Sequence, residues 1–279
     1  MRVAVIVNNK NNGNVEFAAS LIDYLSKRDI DLFVNGEQNA IFSNRLANID
    51  FHGIDIALVL GGDGTILTVA RELAPYGIPL LGINMGRMGF LCQVEKDEVH
   101  SAIDKILQSD YILEKRSMLS CDVKRNGVVV AGYKALNDIV ISNGKYVRTL
   151  NLKLTINNQI INSYFADGIV VATPTGSTGY SFSAGGPIVL PDTDVVLVTP
   201  VCSHTFFSRP IIVSAQSEIS ITFLSNSQVA YLSADGQYQF DLYENDEIVI
   251  QVADLQAKMI NLNNSSYFDK LHKKLCNYE

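Results

Sequence analysis

Apolar residues fall in two different rhythms along the chain, and the rhythm changes near residue 115. In the first part, solid apolar runs alternate with helical stripes. Residues 3–7 (VAVIV) form an unbroken run of β-formers, the pattern of a strand covered on both faces. Val15, Ala18, Ala19, Ile22 and Leu25 recur at helical spacing, which predicts a helix over 15–25 with Asn14 as its cap. Residues 31–34 and 54–60 predict two more strands, 65–73 a helix and 79–83 a strand. Over 98–107, Val99, Ala102, Ile103, Ile106 and Leu107 line one helical stripe. Strands and helices in this alternation imply a parallel sheet with helices on both faces.

From about residue 116 the pattern becomes short strands separated by Gly and Asn turns. Residues 152–156 (LKLTI) alternate in period two, Asn157-Asn158 reads as a hairpin turn, and 159–164 continue as its partner strand. Similar strands are predicted over 128–133, 138–142, 168–172, 195–199, 211–214, 218–223, 229–232 and 247–252, mostly antiparallel. The expected fold class is therefore α/β: an N-terminal Rossmann-like parallel α/β domain over 1–115, then an all-β, β-sandwich-like domain over 116–263. Residues 264–279, weakly helical over 267–275, are expected to return to the first domain. No fixed-period repeat and no Pro-, Gly- or Ser-rich linker separates the halves.

Composition narrows the class. Of 279 residues 47% are apolar and 18% charged, enough to bury a core and incompatible with a disordered chain. The net charge of −7 argues against nucleic acid or an anionic membrane as a partner. Cys92, Cys121, Cys202 and Cys276 are scattered without a CxxC, which favours buried reduced thiols over a disulfide framework or zinc site. His52, His100, His204 and His272 are too dispersed for a metal site, so no protein metal ligands are expected. The apolar run at the amino terminus is too short for a signal segment, and none reaches the ~18 residues of a membrane span. A soluble, cytoplasmic protein is expected.

Three stretches carry chemistry. Leu60-Gly61-Gly62-Asp63-Gly64-Thr65 stands between an apolar strand and a helix, where open parallel sheets bind ligands. Its glycines permit positive φ and close backbone approach, and the helix start offers N–H groups to phosphate. Asp63 would repel an anion, so it fits that loop as a magnesium ligand, as a proton acceptor for a hydroxyl, or merely as a helix-capping residue. Asn84-Met85-Gly86-Arg87-Met88-Gly89-Phe90-Leu91 follows the next strand, so both loops should converge on one edge, where Arg87 could reach a phosphate. Residues 167–187 (DGIVVATPTGSTGYSFSAGGP) pack glycines and hydroxyls around Tyr180. That composition suits a loop wrapped around a polar ligand, with N–H groups and hydroxyls donating and Tyr180 stacking. No Walker A, GxGxxG, HExxH or GxSxG motif is present.

Together these stretches resemble the NAD kinase (ATP-NAD kinase) family. The resemblance rests on GGDGT at 61–65, NMGRMGFL at 84–91, ALNDIVI at 135–141, DGIVVATPTGSTGYSFSAGGPIV at 167–189 and DGQ at 235–237. GGDGT alone is weak, because diacylglycerol and sphingosine kinases share it; the TPTGST segment is highly specific. Asp138 stands where the family commonly has Glu, and Gly179 where it commonly has Ala. The resemblance implies transfer of the γ-phosphoryl group of ATP, with a divalent metal (Mg²⁺), to the 2′-hydroxyl of the adenosine ribose of NAD. It also implies a homo-oligomer, dimer or tetramer, with active sites at subunit contacts.

On that resemblance Asp63 is the general base and Gly64 lets the backbone approach the ligand. Asn137 and Asp138 would hold ribose hydroxyls, and Asp167 would accept from adenine or ribose donors. Thr178, Gly179, Tyr180, Ser181, Phe182 and Ser183 would surround the dinucleotide. Arg148 and Gln237 match positions that contact NAD, from the same or a neighbouring chain. His204 and Arg209 match a further segment but read as structural. Two alternatives stand beside this reading: a diacylglycerol-type lipid kinase sharing GGDGT, and a non-catalytic NAD-binding sensor.

Overall fold

A computed structural model of the chain describes residues 1–8, 12–28, 30–33, 41–42, 46, 49–86, 89–144, 149–224, 230–262 and 267–276. The chain divides into two compact units, Met1–Lys115 with Gln256–Glu279, and Arg116–Leu255.

The first unit is built in chain order from β1 (Arg2–Val7), α1 (Asn12–Ser26), β2 (Asp31–Leu32), β3 (Ile41–Phe42), β4 (Ile56–Gly61), α2 (Asp63–Leu73), β5 (Leu80–Asn84), β6 (Val94–Glu95) and α3 (Val99–Leu107). Its strands are parallel: β4 lies between β1 and β5, β2 and β3 pair with β1, and β6 pairs with β5. Every residue of β4 and β5 is buried, which accounts for apolar runs without alternation. Asn14 is not a cap. It sits inside α1, buried, and its side-chain amide donates to Asn8 O at 3.0 Å. The buried face of α1 is Asn14, Ala18, Leu21 and Leu25, one row round from the predicted stripe, so Val15 and Ala19 face solvent. Both rows fit a helical period; only contact with the sheet chooses between them. On α3, Leu107 is likewise exposed while the other four stripe residues are buried. Val34, predicted at the end of the second strand, lies outside the described residues.

The second unit begins within β7 (Ile112–Arg125), a 14-residue strand the sequence did not signal. It continues with β8 (Val128–Ala135), β9 (Asp138–Ser142), β10 (Leu150–Ile156), β11 (Gln159–Ala166) and β12 (Gly168–Ala172). Then come a short helix α4 (Tyr180–Ser183), β13 (Val195–Val201), β14 (Ile211–Ser214), β15 (Ile219–Phe223), β16 (Ala230–Ala234), β17 (Phe240–Leu242) and β18 (Glu247–Asn261). One antiparallel sheet runs β14-β13-β12-β9-β16-β17, and another pairs β11-β10-β15-β18. Their inner faces share one core. Leu150, Leu152, Leu154, Phe223, Ile221 and Ile248 meet Ile139, Ile141, Ile169, Val171, Val196 and Leu232. This is the sandwich arrangement, with side chains from the two sheets alternating inward. The hairpin turn at Asn157 and Asn158 has φ of 49° and 64°, left-handed at both positions as a type I′ turn requires.

β18 leaves the second unit at Leu255, and its Met259 pairs with Leu80 in the first. The chain ends on α5 (Tyr267–Cys276), which belongs to the first unit. Among the described residues no helix is long and apolar enough to cross a membrane. Nor do all the thiols lie buried: Cys121 does and Cys92 is partly covered, but Cys202 is exposed, and the side chain of Cys276 lies outside the described residues.

Candidate functional site

In the first unit, Gly61 at the end of β4 lies opposite Asn84 at the end of β5. Because the two strands are parallel neighbours, the segments after them leave the same edge. α2 begins at Asp63 itself, with Gly62 as N-cap, so Asp63 stands in the first helical turn, not in mid-loop, and its negative charge suits that end of the helix dipole. The expected convergence of the two loops is visible at its carboxylate. Phe90 N–H donates to Oδ2 at 2.8 Å, and Leu91 N–H donates to Oδ1 at 3.0 Å. A third partner arrives from α5: Lys274 Nζ lies 3.6 Å from Asp63 Oδ2. The same ammonium stands 4.0 Å from the centroid of the Phe90 ring. A β-carbon added at Gly89 would land on the carboxylate, so only glycine there leaves the acid its seat.

The glycines of the first loop do not serve to adopt positive φ. None of Gly61, Gly62 and Gly64 has positive φ. A side chain at Gly61 would overlap Thr65, whereas at Gly62 and Gly64 nothing lies within 4 Å, so those two leave open space in front of the helix. The N–H groups of Thr65 and Ile66 already donate to Gly62 O, which takes two of the donors the helix start would offer a phosphate. Beside Asp63, Cys92 Sγ donates to Gly61 O at 3.4 Å. Burial, then the negative Asp63 and Glu95, push the Cys92 thiol up to about 12, so it stays neutral. Arg87 lies outside the described residues.

In the second unit, three neighbouring strands bring their ends together. β9 lies between β12 and β16, with Asp138 opposite Ala172 and Ile139 opposite Ala234. Asn137-Asp138, the Thr173 segment and Asp235 therefore meet at one end of the sheet. Asp235 accepts backbone N–H groups from Leu136 at 3.0 Å, Asn137 at 2.7 Å and Asp138 at 3.2 Å. Asp138 is 5% exposed. Burial first, then the negative Asp235, push its carboxyl up to about 7. Among the described residues, Asn137 Oδ1 and Thr175 Oγ1 are buried without a hydrogen-bond partner, as expected of polar groups that meet a ligand or water.

The stretch read as a ligand loop is largely two short helical turns, a 3₁₀ turn at Thr175–Thr178 and α4. Much of its hydroxyl content is spent within the protein. Thr173 Oγ1 donates to Leu136 O at 2.6 Å and accepts from Gly176 N at 3.1 Å. Ser177 Oγ donates to Val189 O and accepts from Val189 N, both at 3.1 Å, and Ser181 Oγ bonds Thr199 Oγ1 at 3.0 Å. Ser181 is fully buried, so its side chain holds the turn. Tyr180, Phe182 and Ser183 are exposed, and Thr178 and Gly179 are partly so. Position 179 faces Asn137 Nδ2 and Asp138 Oδ2, 3.6 and 3.8 Å from where a β-carbon would stand. Burial, then Cys202, Asp167 and Asp138, push the Tyr180 phenol up, keeping it a donor. Asp167 precedes β12, whereas Asp138 opposes its last residue. The two residues thus stand at opposite ends of β12.

Gln237 follows Asp235 on an exposed turn, its N–H donating to Ala234 O at 3.0 Å. Arg148 lies outside the described residues. His204 and Arg209 are exposed, and His204 N–H donates to Phe165 O. Two side chains were not singled out as site residues beforehand. Asp235 had a signal, since it opens DGQ. Lys274 had none, standing in a weakly patterned tail 211 positions after Asp63 (274 − 63). Among the described residues, no group of three His, Cys, Asp or Glu side chains could hold a metal ion.

Comparison with known proteins places both halves. Residues 3–111 match the ATP-NAD kinase N-terminal domain and residues 136–262 the ATP-NAD kinase C-terminal domain. An NAD kinase of Caldanaerobacter subterraneus is 38% identical over 278 residues, covering 98% of each chain. One of Carboxydothermus hydrogenoformans is 42% identical over 222 residues, 80% of this chain and 79% of that one. Among solved structures, yeast NADH kinase complexed with NADH superposes with a TM-score of 0.83 at 25% identity, over 100% of this chain and 88% of that one. An NAD kinase from Archaeoglobus fulgidus in complex with ATP gives 0.77 at 27% identity, over 100% of each chain.

Proposed function

Because this chain belongs to the ATP-NAD kinase family, we infer that it transfers the γ-phosphoryl group of ATP to the 2′-hydroxyl of the adenosine ribose of NAD, giving NADP. The observation that carries the chemistry is the Asp63 carboxylate, held by two backbone N–H groups at the carboxyl edge of a parallel sheet. Each oxygen of an ionised carboxylate has two lone-pair sites, so both retain room for another donor. Asp63 is the general base. It takes the 2′-hydroxyl proton as that oxygen bonds to the γ-phosphorus and the bond from phosphorus to the bridging oxygen breaks, releasing ADP.

Dinucleotide binding belongs to the second unit. Asn137 and Asp138 hold ribose hydroxyls, supported by the orphaned Asn137 Oδ1 and the rigid seating of both residues on Asp235. Tyr180 and Phe182 offer exposed rings for stacking, with Thr178, Gly179 and Ser183 beside them. Asp167 takes donors further along the ligand. Arg148 and Gln237 complete the set on family grounds, and Gly64 gives the phosphates room.

Mg²⁺ bound to the triphosphate would neutralise charge on the transferring group. Such an ion is ordinarily held by substrate phosphates, water and one or two carboxylates rather than by a dedicated protein cage. A homo-oligomer is supported by exposed Ile160, Phe165, Phe206 and Phe207, more aromatic and aliphatic surface than a lone unit needs. Among the described residues Cys92, Cys121 and Cys202 are free thiols, and the exposure of Cys202 suits the reducing cytoplasm.

Incubation with ATP-Mg²⁺ and NAD, read by an NADP-specific dehydrogenase, tests the reading. NADP should appear, and diacylglycerol in place of NAD should give no phosphorylated product. NAD binding without turnover would sink it. Asp63→Asn should lose ~10²–10⁴-fold in kcat with NAD affinity intact.

A further inference from the structure

The charge balance left one question open. The net charge is −7, no Walker lysine exists, and the base sits where a polyanionic donor must approach. Lys274 stands at that point. Its ammonium lies 3.6 Å from Asp63 Oδ2 and 4.0 Å from the Phe90 ring centroid, while the Phe90 N–H donates to the same Oδ2. One residue thus grips the acid through its backbone and the cation through its ring. Asp63 and Lys274 also act, with opposite signs, on the neighbouring Cys92 thiol, which burial keeps neutral. Among the described residues Lys274 is the cation that meets this carboxylate.

An ordinary surface ion pair is worth little, because two flexible side chains lose as much entropy as they gain in attraction. This one differs in two respects. Lys274 and Asp63 are only 28% and 30% exposed. The carboxylate is also fixed beforehand by two N–H groups, so the lysine adds charge to a seat already formed. Oδ2 carries an N–H and the ammonium, whereas Oδ1 carries one N–H. Oδ1 is therefore the oxygen with more room for the incoming proton.

We propose that Lys274, delivered by the C-terminal helix, is a positioning residue for phosphoryl transfer: it orients the Asp63 carboxylate toward the approaching 2′-hydroxyl. This rests on Asp63 acting as the base. Removing the charge should slow chemistry without weakening the dinucleotide, whose proposed groups lie in the other unit.

The test compares wild type with Lys274→Met and Lys274→Arg, using NADP formation and thermal melting. Lys274→Met should lose about tenfold in kcat with the KM for NAD within about twofold. Lys274→Arg should restore most of kcat. A structural role would lower the melting temperature and alter kcat and KM together; that result, or Arg behaving like Met, overturns the proposal. Lys274→Gln makes the same comparison where Met does not fold. If wild type with an intact fold makes no NADP, the functional reading falls and the role of Lys274 with it. If wild type turns over and Lys274→Met keeps wild-type kcat, only Lys274 is rejected.

Discussion

Asp235 and Asp138 hold each other through the backbone: Asp235 Oδ1 accepts the Asp138 N–H at 3.2 Å, and the Asp235 N–H donates to Asp138 O at 2.9 Å. Asp235 adopts φ 50° to do this, a left-handed conformation that aspartate tolerates better than most residues. The side chain of Asp138 is thereby left free of that exchange and is aimed by it.

Replacing Asp235 by Ala should therefore act on both stability and binding. Three backbone N–H groups lose their acceptor, and each buried unsatisfied donor costs ~1–3 kcal/mol. We expect a melting temperature lower by several degrees and NAD affinity weakened about tenfold or more, read by calorimetry. Unchanged affinity would show that Asn137 and Asp138 keep their positions without it.

The carboxyl of Asp138 makes stability depend on pH. An aspartate in the unfolded chain titrates at ~4, whereas burial beside Asp235 raises Asp138 to about 7 in the fold. Between those values the folded chain holds a proton that the unfolded chain has released. Stability from this group is therefore full below pH ~4, falls as pH rises toward ~7, and is flat above. Urea unfolding between pH 4 and 8 should show that slope, and Asp138→Asn should remove it.

Gly89 and Gly62 should respond oppositely to alanine. At Gly89 the new methyl falls on the Asp63 carboxylate, and displacing it by about an ångström should cost ~10²-fold in kcat with NAD binding kept. At Gly62 the methyl meets nothing within 4 Å, and φ is −104°, so the melting temperature should stay unchanged. A Gly89→Ala enzyme with wild-type kcat would mean that the observed seat of Asp63 is not the one used in turnover.

Thiol chemistry should separate the cysteines. Cys202 is exposed, while burial pushes the Cys92 and Cys121 thiols up to about 12. Iodoacetamide at pH 8 followed by peptide mapping should modify Cys202 well before either of the others. Equal labelling of Cys92 would show that the segment over Asp63 opens freely.

Legibility differed between the two units for physical reasons. Parallel strands buried on both faces leave unbroken apolar runs, so β4 and β5 could be read directly. The period-two alternation of β10 and its Asn-Asn turn were equally plain. β7 was not, because its partly exposed, charged sequence follows no single rhythm. The hydroxyls of the Thr173–Ser183 segment looked like ligand donors, yet Thr173, Ser177 and Ser181 bond the protein itself. Residue type announces hydrogen-bonding capacity but not who receives it.

The sequence by itself determined the order of most of the longer strands and helices, the change from α/β to β near residue 115, and the motifs carrying Asp63, Asn137, Asp138 and Tyr180, because these are local patterns of a few to a few dozen residues. The tertiary structure alone decided which row of α1 faces the sheet, that Asp63 begins a helix, that Asp235 holds the Asn137-Asp138 pair, and that Lys274 returns to the carboxylate. Such contacts join positions 98 and 211 residues apart (235 − 137; 274 − 63). No local period links them; only burial of the chain as a whole brings them together.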